Sequence, residues 1–108
     1  MKMLCDEEKV LLESPDPMRI YTCSPGIARL DSGRLVVTDG LRGVDGDDVP
    51  EPKYCPRPGQ FWQGKVMTSD DGGKTWAHRA DFPIMHARPF AAGGGVYILG
   101  HAGDLMVM

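Results

Sequence analysis

Two stretches of this 108-residue chain gather the side chains whose types and spacing could do chemistry. The first, residues 39–60, reads "DGLRGVDGDDVPEPKYCPRPGQ" and sets Arg42 among Asp39, Asp45, Asp47 and Asp48. A guanidinium can grip a carboxylate or sugar hydroxyls, and a carboxyl beside it can hand a proton to a leaving group. The same carboxylates can instead collect around Ca2+, a hard cation that takes oxygen ligands. Their spacing departs from the EF-hand, so a solvated acidic loop is the commoner outcome, with Arg42 either in a surface ion pair or against a ligand. The second stretch, residues 69–76, reads "SDDGGKTW". Here Asp71 is suited to accept hydrogen bonds from backbone N–H groups of its own turn, and Gly73 can take positive φ. The hydroxyls of Ser69 and Thr75 can tie the ends of a hairpin, and Trp76 can bury a large ring between neighbouring sheets. These are the tasks of a turn rather than of an active site.

The remaining reactive side chains are dispersed. His78, His86 and His101 lack metal-ligand spacing, and His78 reads as a surface residue of an outer strand. Cys5, Cys23 and Cys55 are odd in number and form no CxxC, which points to free or buried thiols in a reduced compartment. No metal and no cofactor are expected. Tyr54, Phe61 and Trp62 can stack on a sugar ring, although packing is the commoner fate of such rings. The run Gly93, Gly94, Gly95 precedes no helix and reads as a hairpin turn, not a phosphate loop.

The elements that must position these residues are short strands. Fourteen Gly and nine Pro imply frequent turns and no long helix. A formal net charge of -3 with no basic block argues against nucleic acid. No apolar run reaches the roughly 20 residues of a membrane span. Asp6, Glu7 and Glu8 interrupt any signal-peptide core, so a chain that begins naturally at residue 1 is expected in the cytoplasm. Residues 1–18 read as an N-terminal arm in which "KVLLE" forms a short strand before "SPDP" breaks it. Strands follow at "GIARL", "RLVVT", "FWQGKVMT", "WAHRA", "RPFAA", "VYILG" and "LMVM", with turns at residues 31–33, 69–75, 93–95 and 101–104. Residues 39–60 read as one long loop, and loops of that length are usually functional or disordered. "ARLDSGRLVVTDG" and "FAAGGGVYILGHAG" repeat one order of strand, Gly turn, strand and small turn, which suggests a propeller or a sandwich.

"SDDGGKTW" resembles the Asp-box, the Ser-x-Asp-x-Gly-x-Thr-Trp repeat of sialidase-like β-propellers, with Ser69, Asp71, Gly73, Thr75 and Trp76 matching. In that family the turn joins the third and fourth strands of a blade, on the face away from the catalytic site. The frame of "CSPGIARLDSGRLVVTDGLR" is also similar: Pro25, Gly33, Leu35 and Arg42 fall where the family has its first-strand motif, turn, second strand and a following arginine. Cys23 stands in place of the motif arginine that grips the substrate carboxylate, and a thiol cannot replace a bidentate guanidinium. Arg19 and Arg29 are the nearby substitutes.

The resemblance implies an all-β fold of antiparallel propeller blades, a partial propeller over residues 19–108. Blade one would span about 19–81 and partial blade two about 82–108. It implies a piece of a glycoside hydrolase acting on terminal sugars, with Asp47 in the acid/base position and Arg42 and Arg88 facing a carbohydrate ligand. Arg88 would open an inner strand at the central channel, where a structural ion pair is the alternative. The family's nucleophilic Tyr and its Glu partner belong to later blades, so the chain alone is expected not to hydrolyse. The alternatives are a non-catalytic glycan- or protein-binding module and a self-associating product. Bare blade faces and open strand edges lead to an expected homodimer or higher assembly through residues 96–99 and 105–108.

Overall fold

The computed structural model describes residues 8–44, 46–103 and 105–108. Among them the fold is all-β and antiparallel, and its one helical piece is a 3-10 turn at Gly46–Asp48. Strands β1 (Ile20–Arg29), β2 (Leu35–Val44), β3 (Gln60–Ser69) and β4 (Ala77–Phe82) form a four-stranded sheet in that order. Strands β5 (Met85–Ala92), β6 (Gly95–Ala102) and β7 (Leu105–Val107) form a second, three-stranded sheet, again in chain order. Both sheets are open meanders.

β2 is the centre of the first sheet. Val36, Val37 and Thr38 are buried in succession, so both faces of the strand are covered. On one face the Thr38 hydroxyl donates to the carbonyl of Ala87 in β5 at 3.0 Å. Gly26 lets the sheets meet there, since a Cβ on it would lie 2.8 Å from Pro89 Cδ. On the other side Val37 pairs with Met67, which lines a groove together with Lys9, Val10 and Leu11 of the arm. The main apolar cluster lies toward the Val44 end: Ile20, Leu41, Val49 and Phe61, with Leu12 against it. The ring of Phe61 fills the space that a side chain at Gly46 would need.

The structure departs from the sequence expectations in four places. "KVLLE" forms no strand; it lies along the first sheet, where Lys9 Nζ donates to Lys74 O. β1 begins at Ile20 rather than Gly26, because a bulge between Cys23 and Gly26 absorbs Ser24, at φ 61, and Pro25. β4 begins at Ala77, after Trp76. The expected loop over 39–60 is strand as far as Val44, since β2 and β3 pair without a break from Leu35↔Ser69 to Val44↔Gln60. Ladder hydrogen bonds hold these residues extended despite their weak apolar pattern. Gly43 is needed there, because a Cβ would lie 2.3 Å from Arg19 O.

What remains of that loop is tied down. Lys53 Nζ donates to Gly46 O at 2.5 Å and Val49 O at 2.8 Å. The buried amide of Gln63 donates to Pro50 O at 2.8 Å and Pro52 O at 3.0 Å. Tyr54 exchanges both backbone hydrogen bonds with Trp62. Cys5 and Asp45 lie outside the described residues.

Candidate functional site

The turn at residues 69–76 joins β3 to β4, and a closed set of hydrogen bonds holds it. Ser69 Oγ donates to Asp71 Oδ1 at 2.8 Å and accepts from Gly73 N at 2.9 Å. Asp71 Oδ1 accepts from Thr75 N at 2.9 Å, and Oδ2 from the Thr75 hydroxyl at 2.5 Å. The Thr75 hydroxyl, the Thr75 N–H and the Ser69 hydroxyl, in that order, hold the Asp71 carboxyl well below the usual carboxylate range. Gly72 and Gly73 take φ of 75 and 94, which a side chain would strain. Trp76 is half-buried, not enclosed between sheets as its size suggested. Its Nε1 donates to Gly73 O at 2.9 Å, so the indole closes its own turn. Beside it, Arg34 in the β1–β2 turn forks onto Asp70 at 2.7 and 2.9 Å.

A different kind of cluster occupies the other end of the same strands. Arg42 pairs in register with Tyr21 on β1 and Trp62 on β3. Its guanidinium lies 4.5 Å over the Trp62 ring and 5.5 Å from the Tyr21 ring centre. Trp62 meets His86 of β5 in a T-shaped contact, centroids 4.9 Å apart at 69°. His86 in turn lies edge to edge with His101 of β6, ring centroids 4.9 Å apart and His86 Nδ1 2.6 Å from His101 Nε2. Tyr21, Arg42, Trp62, His86 and His101 thus form a continuous ladder across both sheets. Trp62 is buried and acts as its floor, while Tyr21, Arg42 and His86 are exposed. His86 has φ 52, in a bulge between Met85 and Arg88. Partial burial first, then the charges of His101, Arg88 and Arg42, hold its pKa below the ordinary imidazole value.

The residues singled out from sequence are divided between places. Arg42 is in the ladder. Arg88 adjoins it through His86, but its Nη1 also donates to Ser24 O at 2.9 Å and Ala87 O at 3.2 Å, bracing β5 against the β1 bulge. Asp47 borders a separate cleft of about 650 Å3 with Lys53, Cys55, Arg57 and Phe61, and no ladder residue lines it. Asp48 faces Arg19 at 3.6 Å, and Arg19 also binds Asp16 at 2.7 Å. Arg29 pairs with Leu35, at the end of β1 remote from Arg42. Cys23 is half-buried, and burial raises its thiol pKa, the reverse of an activated nucleophile. Burial likewise raises Asp39, which borders a small cavity with Cys23, Gln63 and His86. Among the described residues no three His, Cys, Asp or Glu side chains converge on a metal position.

His86 and His101 were the residues that spacing alone did not bring together. The sequence held part of the signal: a hairpin turning at Gly93 and Gly94 brings residues 85 and 86 alongside His101, although Met85 is its register partner and the bulge after Met85 is what turns His86 toward it. Compared with family models, curated proteins and solved structures, the chain has no match in any of the three.

Proposed function

We propose that the chain is a carbohydrate-recognising module of the sialidase-like, Asp-box type, formed of propeller-blade sheets and not hydrolytic by itself. The observation that carries this reading is the opposition of two features along one strand pair. The turn at residues 69–76 lies at the Leu35↔Ser69 end of β2 and β3, and the Arg42 ladder lies toward the Val44↔Gln60 end. A structural turn on one face and a ligand site on the other is the arrangement the resemblance implies. The ladder supplies what sugar binding needs, an exposed guanidinium over an indole beside a tyrosine ring and two imidazoles. Catalysis is not supported, because Asp47 borders another cleft and Cys23 replaces the motif arginine.

The test is binding of a panel of monosaccharides, followed by NMR shifts and by protection against heat. Arg42→Ala is expected to abolish binding without unfolding the chain, since Arg42 is exposed. A fluorogenic sialoside is expected to remain uncleaved. Turnover that Asp47→Asn removes would restore the hydrolase reading and the acid/base role of Asp47. A second reading, self-association, is favoured by the exposed rings of Phe90 and Tyr97 on the second sheet.

A further inference from the structure

With both rings neutral, the hydrogen bonds of the two imidazoles fix where their protons sit. A backbone carbonyl only accepts, so His101 Nδ1, 3.1 Å from Gly103 O, carries a hydrogen. In the neutral ring Nε2 is then a bare acceptor. It lies 2.6 Å from His86 Nδ1, which must therefore donate to it. The last nitrogen of the series, His86 Nε2, is left as a bare lone pair. It has no hydrogen-bond partner among the described residues, on a side chain that is exposed. The ring is nevertheless fixed in place by the bulge, by the T-shaped contact with Trp62 and by the hydrogen bond to His101.

We infer that His86 Nε2 is a hydrogen-bond acceptor that selects an uncharged sugar through two neighbouring hydroxyls, one donating to this nitrogen and the other accepting from Arg42 across the same indole. The inference rests on the carbohydrate reading and deepens it. A carboxylate oxygen has no proton to give, so it is repelled by the lone pair. A guanidinium has no lone pair, so it takes only an acceptor. Adjacent hydroxyls satisfy both, because each O–H can donate or accept. The charged and titratable groups around His86 favour the neutral ring: Arg42 from β2, Arg88 from β5 and His101 from β6. β3 presents the uncharged Trp62 and Gln63, while Cys23 and Asp39 border the small cavity beside the ring. Acid reverses the preference, because protonation turns Nε2 into a donor.

The experiment uses the whole chain and mono-O-methyl ethers of methyl β-D-galactopyranoside. An ether oxygen accepts a hydrogen bond but cannot donate one. At pH 7.5 methylation of one hydroxyl is expected to weaken binding about tenfold, the worth of one lost hydrogen bond. Below the midpoint of the His86 NMR titration, the same ether is expected to bind as well as its parent. A steric clash would persist at both pH values, so a loss that remains in acid overturns the inference. Equal binding of all the ethers at pH 7.5 overturns it too, as does a nitrogen spectrum showing Nε2 protonated there. His86→Gln, whose amide both accepts and donates, is expected to tolerate the ether at either pH. If no galactoside or ether binds at either pH, the carbohydrate reading falls together with this one. If the parent binds and Arg42→Ala abolishes it while the ethers behave alike, only the selection by His86 is lost.

Discussion

Single residues in this chain act through the hydrogen bonds their geometry permits, and Asp71 is the clearest case. Its two oxygens accept from Ser69 and twice from Thr75, so the carboxylate is worth more to the folded chain ionised than protonated. The sign follows from the depressed pKa. The stabilisation is fully present above the unfolded value, about 3.9, and is lost as pH falls from there toward the lower folded value. Asp71→Ala is therefore expected to lower the melting temperature at pH 7, and the gap between variant and wild type to narrow steadily below about pH 4. A gap that stays constant with pH would contradict the ionic role; no gap at all would contradict the hydrogen bonding. Much of this turn was legible from its letters, since each residue serves its own turn. Arg42 was legible as a candidate, but its stacking on Trp62 was not, because that depends on a strand partner 20 residues away. The loop expected around it begins only beyond Val44, where Asp47 and Asp48 are exposed; Arg42 itself is held in the β2–β3 ladder.

At the scale of elements, the strands and their order were readable from β-branched runs and Gly turns, and the hairpin at Gly93 and Gly94 was found where expected. The boundaries were less readable. β2 extends to Val44 and β1 starts at Ile20 because each has a partner to pair with, and pairing is a tertiary fact that a local pattern does not encode. The same holds for residues 46–59, where frequent Pro and Gly suggested looseness. Two side chains anchor this segment, Lys53 from within and Gln63 from β3. Gln63 is 1% exposed, and its amide is a donor to both Pro50 O and Pro52 O. Gln63→Leu keeps the volume near its original value and removes both hydrogen bonds. It is expected to cost about 1–3 kcal/mol, the worth of two hydrogen bonds of about 0.5–1.5 kcal/mol each. Chemical denaturation measures this directly. Hydrogen exchange at Tyr54 and Trp62 is expected to rise with it, and unchanged exchange at both would mean that the loop is held by other contacts.

The whole molecule is less compact than its length allows. Its radius of gyration is 14.8 Å, where a compact domain of this size has about 13 Å. The excess reflects two open sheets that meet along β1, β2 and β5 and leave the far side of the second sheet uncovered. There Phe90 and Tyr97, paired in register, stack 5.5 Å apart while 38% and 45% exposed, and Leu99 beside Arg88 is exposed as well. The outer edges of β4 and β7 have no strand partner among the described residues. The described part of the arm does not relieve either deficit, since its Lys9, Val10 and Leu11 line a groove with Met67 and Trp76 at the first sheet. Large apolar side chains grouped beside an open edge favour association with a like surface, and a two-fold pairing covers the patch on both copies at once. The 108-residue chain is therefore expected to be a dimer or larger at micromolar concentration and to dissociate on dilution. Tyr97→Glu places a charge in the centre of the patch without touching the buried side of β6, so it is expected to give a folded monomer. Sedimentation velocity across a hundredfold concentration range separates the outcomes. A wild-type chain that sediments as a compact monomer throughout would mean that the exposed face of the second sheet is stable in water by itself.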